Sequence, residues 1–95
     1  MAVLLELSIE VATQDQFNAL DDRVGEAMMQ AGGPPAGLLA HVVYAAGDGF
    51  VVADVWRTEH EGRAYIAEVL IPLAQQAGLT PIEPRARAVW SFARP

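Results

Sequence analysis

Hydrophobic and polar positions alternate at both ends of the chain. In "VLLELSIEV" the odd positions from Val3 to Val11 are apolar, and Glu6, Ser8 and Glu10 fall between them. A period of two predicts a β-strand with one buried face. The segment "RARAVWSFAR", residues 85–94, also alternates and predicts a last strand.

After Val11 the spacing of the apolar residues changes from that of a strand to that of a helix. In "TQDQ", Thr13 can serve as the N-cap and Gln16 as the third helical residue, a capping box. Apolar residues then recur at helical spacing until Gly32–Pro35, which ends the helix.

A second helix is predicted after "TEHE", where Thr58 caps and Glu61 occupies the third helical position. Its apolar face continues toward Gly78. Pro72 removes one backbone hydrogen bond inside it, so we expect a kink or a loosened turn there.

Between the two helices, "GLLAHVVYAAGDGFVVADVWR" consists of two apolar, β-branched runs around "GDG". This pattern predicts a tight β-hairpin. The order of elements is therefore β-α-β-β-α-β. It predicts an α+β, ferredoxin-like fold, a four-stranded antiparallel sheet with two helices on one face, as one domain over residues 1–95.

The parity of the hairpin groups its side chains by face. A two-residue turn at Gly47-Asp48 places His41 opposite Asp54, and a turn at Asp48-Gly49 places His41 opposite Trp56. Either turn puts these three residues on one face, which Phe50 shares, unless an odd-length loop or a bulge intervenes. The other face is predicted to carry Leu38, Ala40, Val42, Tyr44, Val51, Ala53, Val55 and Arg57.

Both faces of the hairpin are thus mainly apolar, and the two helices can cover only one of them. A second sheet against the other face predicts a homodimer formed through the sheet faces. Composition agrees, because 53% of the 95 residues are hydrophobic. That share is more than so small a monomer usually carries.

The formal net charge of −6 argues against nucleic acid and anionic membrane surfaces as partners. No apolar run approaches the ~20 residues of a membrane span. The acidic N-terminal strand does not resemble a signal peptide, and the chain has no cysteine. We therefore expect a cytoplasmic protein without disulfides or thiolate chemistry.

His41 and Asp54 are the candidate catalytic pair. A carboxylate beside an imidazole fixes its tautomer and stabilises its charged form, as a general base requires. The same pair can also satisfy two half-buried polar groups with no catalysis.

Three further residues are candidate substrate contacts. Trp56 either packs in the core or forms a pocket wall on which an aromatic substrate stacks. His60 lies in the first turn of the second helix and Phe50 on the His41 face. Nothing has the spacing of a metal site, and no nucleotide-binding loop is present, so neither metal nor cofactor is expected.

"GFVVADVWRTEHEGRAY" followed by "LIPLAQQAGL" resembles the dimeric α/β-barrel superfamily, and within it the small antibiotic-biosynthesis-monooxygenase-like proteins. The resemblance rests on a Val-rich third strand ending in Trp56, the cap at Thr58, and the late Pro72 and Gly78. It implies a homodimer with a pocket in each subunit between sheet and helices. Activities in this group include cofactor-free oxygenation of polycyclic phenols, quinol oxidation and haem degradation.

The haem-degrading branch uses an asparagine on the first strand. Here the sole asparagine, Asn18, belongs to the first helix, which argues against haem degradation. The expected function is a cofactor-independent monooxygenase acting on an aromatic or polyketide-like small molecule. The alternative is a non-catalytic small-molecule-binding or structural homodimer.

Overall fold

In the computed structural model, which describes residues 1–93, four strands form one antiparallel sheet in the order β2-β3-β1-β4. The helices pack on one face, so the predicted α+β, ferredoxin-like fold is confirmed. The elements are β1 Val3–Ile9, α1 Gln14–Gln30, β2 Leu38–Ala46, β3 Gly49–Trp56, α2 Glu59–Tyr65, a π turn Ile66–Leu70, α3 Ile71–Gln76 and β4 Arg85–Ala88.

The core lies between the sheet and the helices. Strand β1 contributes its odd-numbered side chains, as the alternation predicts, and Leu5, Leu7 and Ile9 are almost fully buried. Val11 was predicted to extend this face, but the strand ends at Ile9 and Val11 is exposed. The chain leaves the sheet there to enter α1, so Val11 has no core to face.

The hairpin uses the first of the two turns that the sequence allows. Ala46 pairs with Gly49, which leaves Gly47-Asp48 as the turn and places His41 opposite Asp54. Gly47 has a φ of 56°, and no residue other than glycine has a positive φ among those described. A positive φ at the first central residue alone is typical of a type II′ turn, which matches the twist of the strands.

A β-bulge near the start of β2 changes the predicted faces at one point. The register shifts between Leu38 and Ala40, so that Leu38 lies opposite Trp56. Leu38 therefore packs against the core, whereas unbroken parity placed it on the far face. The extra residue of the bulge reverses the side on which Leu38 projects.

The caps of the two helical segments differ. Before α1, Thr13 and Gln16 form the complete reciprocal capping box that was predicted. Before α2, Thr58 accepts a hydrogen bond from the backbone N–H of Glu61, as predicted. The Glu61 carboxylate does not complete a reciprocal box, because it accepts from the Thr58 hydroxyl and from Arg57 instead.

The loosening expected near Pro72 occurs in the turn that precedes it. There the N–H of Ile71 bonds to the carbonyl of Ile66, five residues back, which makes residues 66–70 a π turn. Pro72 has no N–H to give to the preceding turn, so the helix is weakened at this place. Ile66, Leu70 and Ala74 nevertheless all remain buried.

Strand β4 is much shorter than the alternation predicts. It ends at Ala88, although the N–H of Val89 makes one more hydrogen bond to Ala2. Its partner β1 begins at Val3, so the following residues have no ladder to join, and Trp90 is 95% exposed. Arg94, the end of the predicted strand, lies outside the described residues.

The sheet face opposite the helices combines polar and apolar side chains. Glu6 accepts hydrogen bonds from Arg87 at 2.5 Å and from Tyr44 at 3.2 Å. Beside this network, Val42 is 55% exposed. Among residues 1–93, no helix has the length and apolar character that crossing a membrane requires.

Gly62 marks the closest approach of α2 to the sheet. A Cβ at this position would lie 2.7 Å from the ring of Trp56 and still closer to Leu5. We expect Gly62→Ala to lower the free energy of unfolding by about 1–3 kcal/mol through overpacking. Urea denaturation measures the change.

Gly25→Ala is the matched control, because Gly25 is an exposed helical glycine with open space around its Cα. It should raise the free energy of unfolding by about 0.5–1 kcal/mol. Equal effects of the two substitutions would show that the close approach at Gly62 does not limit the packing.

Candidate functional site

Asp54 lies at the centre of the candidate site. It occupies the middle of β3, between Leu5 on β1 and His41 on β2, and its side chain points toward the helices. Only 4% of the residue is exposed. A carboxylate so placed is costly unless it is paired, and His41 is its partner.

The contact between the two side chains is short. His41 Nδ1 and Asp54 Oδ1 are 2.5 Å apart. Because an ionised carboxylate can only accept, Nδ1 carries the hydrogen, and in the neutral ring Nε2 keeps its lone pair. The His41 side chain is 49% exposed, so a small molecule can approach this ring from the protein surface.

The environment of His41 favours its protonated form. The hydrogen bond to Asp54 raises the pKa of His41 above its ordinary value, and partial burial opposes this rise only in part. The negative charges of Asp54 and of Asp21 on α1 raise the pKa further. His41 is therefore a stronger base than a free histidine and is oriented by its partner.

Trp56 lies two residues from Asp54 on the same face of β3, and Tyr65 packs against it. Their ring centroids are 5.4 Å apart with the planes tilted by 45°, and Trp56 is 1% exposed. Burial and the charge of Asp54 raise the pKa of Tyr65. We refer to His41, Asp54, Trp56 and Tyr65 together as the Asp54 cluster.

Two polar atoms of the Asp54 cluster are buried without a hydrogen-bond partner among residues 1–93. They are Nε1 of Trp56 and the hydroxyl oxygen of Tyr65. Most buried polar groups in proteins are paired, so two unpaired donors on touching rings are unusual.

Tyr65 was not identified from the sequence. The signal that could have found it is the helical spacing of Gly62, Tyr65, Ile66 and Val69, which follow one another at i, i+3, i+4 and i+7. Gly62 and Ile66 are buried, so this stripe faces the sheet and the site.

Tyr65 also lines a cleft of about 480 Å³. The other walls are Val69, Ala27, Met28 and Ala31 near the end of α1, and residues 33–36 of the following loop. This volume is within the range of small-molecule sites, ~300–1,000 Å³. We call it the Tyr65 cleft; its walls do not include His41, Asp54 or Trp56, and Tyr65 connects it to the Asp54 cluster.

The remaining predicted contacts lie elsewhere. Phe50 is buried against Phe17, edge to face at 5.1 Å, and lines a separate cleft of about 210 Å³. It is four residues from Asp54 along β3, or about 13 Å. His60 is exposed in the first turn of α2 and makes no side-chain hydrogen bond within residues 1–93. The structure thus brings together His41, Asp54 and Trp56, but not Phe50 or His60.

No protein-family model matches this sequence, and no curated protein matches it significantly. Solved structures do match. The cofactor-independent oxygenase SnoaB of Streptomyces nogalater is 16% identical, with a TM-score of 0.59 over 96% of this chain and 93% of that one. A putative antibiotic biosynthesis monooxygenase of Deinococcus radiodurans is 14% identical, with a TM-score of 0.61 over 99% of this chain and 97% of that one.

A protein of unknown function from Nitrosomonas europaea, NE2512, is 22% identical, with a TM-score of 0.65 over 99% of this chain and 94% of that one. The chain has the fold of the antibiotic-biosynthesis-monooxygenase proteins. The resemblance inferred from the residues around Trp56 and Pro72 is thereby confirmed for the fold. At these identities the structural similarity establishes the fold but not the reaction that the protein catalyses.

Replacing Asp54 by Asn should lower the pKa of His41, because the hydrogen bond to the carboxylate is the largest cause of its rise. NMR titration of the His41 ring protons measures this, with His41→Gln used to assign them. Asp21→Asn is the control and should lower the pKa less, since Asp21 acts only through its charge. An unchanged His41 pKa in Asp54→Asn would contradict the pairing.

The same pair should make stability depend on pH. The folded-state pKa of His41 is raised above its ordinary value of 6.5, so the stabilisation is fully present below pH 6.5. It should be lost as the pH rises through the folded-state pKa. The difference in unfolding free energy between the parent protein and His41→Gln should therefore shrink from pH 5.5 to pH 9.

Proposed function

We propose that this protein is a cofactor-independent monooxygenase that acts on an electron-rich aromatic, polyketide-like small molecule. The observation that carries the proposal is the His41–Asp54 pair, in which a buried carboxylate orients an accessible imidazole with Nε2 available as a base. The fold shared with SnoaB, described as a cofactor-independent oxygenase, supports the same reaction class.

In the proposed reaction, Nε2 of His41 removes a proton from a phenol or from a ring CH₂ group activated by neighbouring oxygen substituents. Asp54 stabilises the resulting imidazolium ion. The substrate anion passes one electron to dioxygen, and the radical pair combines to a hydroperoxide. Loss of water leaves a carbonyl, so that R₂CH₂ + O₂ gives R₂C=O + H₂O and no external reductant is consumed.

The aromatic surface presented to the substrate is assigned to Tyr65 rather than to Trp56. Trp56 was a candidate substrate contact with core packing as the alternative, and it is almost wholly buried, whereas Tyr65 lines the cleft. We assign Trp56 the role of holding the Tyr65 ring in place through their contact.

A non-catalytic binding protein is the second candidate. It is favoured by one observation, that the walls of the Tyr65 cleft do not include His41. In this case His41 and Asp54 would neutralise each other as a structural pair, and the cleft would hold its ligand without turnover.

We also propose that the protein is a homodimer formed through the open sheet faces. Support comes from the apolar side chains around Val42 and from the absence of any helix on that face among residues 1–93. An antiparallel sheet that exposes one face to water normally carries polar residues there.

Val42→Glu should convert the dimer to a monomer, because it buries two unpaired charges at the proposed interface. Multi-angle light scattering after size exclusion measures the mass. Val11→Glu is the matched control, since Val11 is exposed outside the sheet, and it should leave the dimer intact. A monomeric parent protein would contradict the proposal.

The proposed reaction is tested by oxygen uptake with a panel of polycyclic hydroxyaromatic substrates such as anthrones. His41→Ala should lower turnover by about 10²–10⁴-fold, the usual contribution of a general base. The base acts in its neutral form, so turnover should rise with pH through the raised pKa of His41. Asp54→Asn should lower the maximal rate and move this rise to lower pH.

Asp22→Asn, an exposed carboxylate-to-amide change on α1, is the control and should retain turnover. Parent-like oxygen uptake by His41→Ala would disprove the assigned role. Saturable binding with no oxygen uptake for any member of the panel would instead favour the binding protein.

A further inference from the structure

The position of His41 depends on how β2 is held against β3. β2 is an edge strand, so within residues 1–93 it is hydrogen-bonded to β3 alone. The Gly-Asp-Gly segment is compatible with two registers of the hairpin, in one of which His41 lies opposite Trp56 rather than Asp54. The turn alone therefore does not fix the pairing of His41 with Asp54.

The structure holds β2 at a second point, Gly37, the residue before the strand. Its carbonyl accepts a hydrogen bond from the backbone N–H of Arg57 at 2.8 Å, which extends the ladder beyond the end of β3. Gly37 is buried, and a Cβ at this position would lie 2.6 Å from Oε2 of Glu61. The Glu61 carboxylate thus occupies the space that a side chain at position 37 would fill.

The Glu61 carboxylate is itself fixed in direction. It accepts hydrogen bonds from Nε of Arg57 at 3.1 Å, from Nη2 of Arg57 at 2.5 Å and from the hydroxyl of Thr58 at 2.9 Å. A contact of both carboxylate oxygens with one guanidinium group sets orientation as well as distance. The hydrogen bonds from Arg57 and Thr58 lower the pKa of Glu61, so the carboxylate stays ionised over the range in which His41 titrates. We call Gly37, Arg57, Thr58 and Glu61 the Glu61 clamp.

The Glu61 clamp joins the strand of the proposed base to the strand of its partner. Arg57 directly follows β3, and Glu61 lies in the first turn of α2. Gly37 lies four residues before His41, and the bulge between them takes up one extra residue. Because the clamp fixes how far β2 extends past the end of β3, it limits His41 to the position opposite Asp54.

We propose that Glu61 is a positioning residue for the proposed base: by closing on Gly37, it fixes the bulged start of β2 and keeps His41 against Asp54. The inference deepens the proposed function and rests on it for the catalytic consequence, since Glu61 acts on the substrate only through His41.

The test measures the pKa of His41 by NMR titration of its ring protons in Glu61→Ala and in Gly37→Ala. Each variant should lower this pKa toward its value in Asp54→Asn, because a share of the molecules loses the hydrogen bond to Asp54. Gly37→Ala keeps the charge of Glu61 and only displaces its carboxylate, so a fall there cannot come from a lost charge. The double variant should lower the pKa no further than Glu61→Ala alone, because both substitutions break the same contact.

Glu59→Ala is the matched control. Glu59 pairs with Arg63 at the same i, i+4 spacing and at 2.7 Å, and it borders the start of β1 and the strand β4 rather than β2. Its replacement removes one acidic residue from the same helical turn and should leave the pKa of His41 at the parent value. An equal fall in Glu59→Ala would overturn the inference, as would an unchanged pKa in either Glu61→Ala or Gly37→Ala.

Oxygen uptake provides a second measurement of the same role. Glu61→Ala should lower kcat by about 10-fold to 10²-fold with little change in KM, since a misplaced base slows the chemical step rather than binding. Glu59→Ala should retain the parent kcat. An undiminished kcat in Glu61→Ala would contradict the positioning role.

The two proposals can fail separately. A His41 pKa that depends on Glu61, without oxygen uptake on any substrate, would retain the positioning of His41 and refute the monooxygenase. Oxygen uptake that depends on His41, with a His41 pKa that neither Glu61→Ala nor Gly37→Ala changes, would do the reverse.

Discussion

The register of β3 against its two neighbours is the constraint on which the rest of this structure depends. β3 is hydrogen-bonded on both edges, to β1 and to β2, and contributes its even-numbered side chains to the helix side. Gly49 secures one end, because a side chain there would collide with the backbone carbonyl of Ile9. A shift of one residue would move every one of these side chains to the opposite face.

This register places the Asp54 carboxylate on the buried side of the sheet. Asp54 takes a place in the middle of the sheet where an apolar residue would pack without a charge. His41 compensates from the neighbouring strand, and its own pKa rises as a result. Together with burial, the charge of Asp54 also raises the pKa of Tyr65, which lies on a different element.

The two faces of the sheet have different chemistry. The helix side holds the Asp54 cluster and the Tyr65 cleft, and the open side holds the Glu6–Arg87–Tyr44 network beside exposed apolar surface. The fold itself is compatible with many activities, and the assignment of a reaction rests on the site.

The amino-acid sequence by itself determined the order of the elements and the sheet face that His41, Asp54 and Trp56 share, whereas the structure selected the turn that places His41 opposite Asp54. Strand alternation, the capping residues Thr13 and Thr58 and the Gly-Asp-Gly turn act over a few neighbouring residues, so they can be interpreted without a structure. Hairpin parity also predicted, across two strands, that His41, Asp54 and Trp56 lie on the same face.

Other features were decided only by contacts between elements distant in the sequence. The length of β4 depends on where β1 begins, and the bulge at Leu38 depends on how β2 meets Trp56. The contact of Tyr65 with Trp56 depends on the close approach of α2 to the sheet at Gly62. No local pattern encodes these distances, because they follow from how the packed layers fit together.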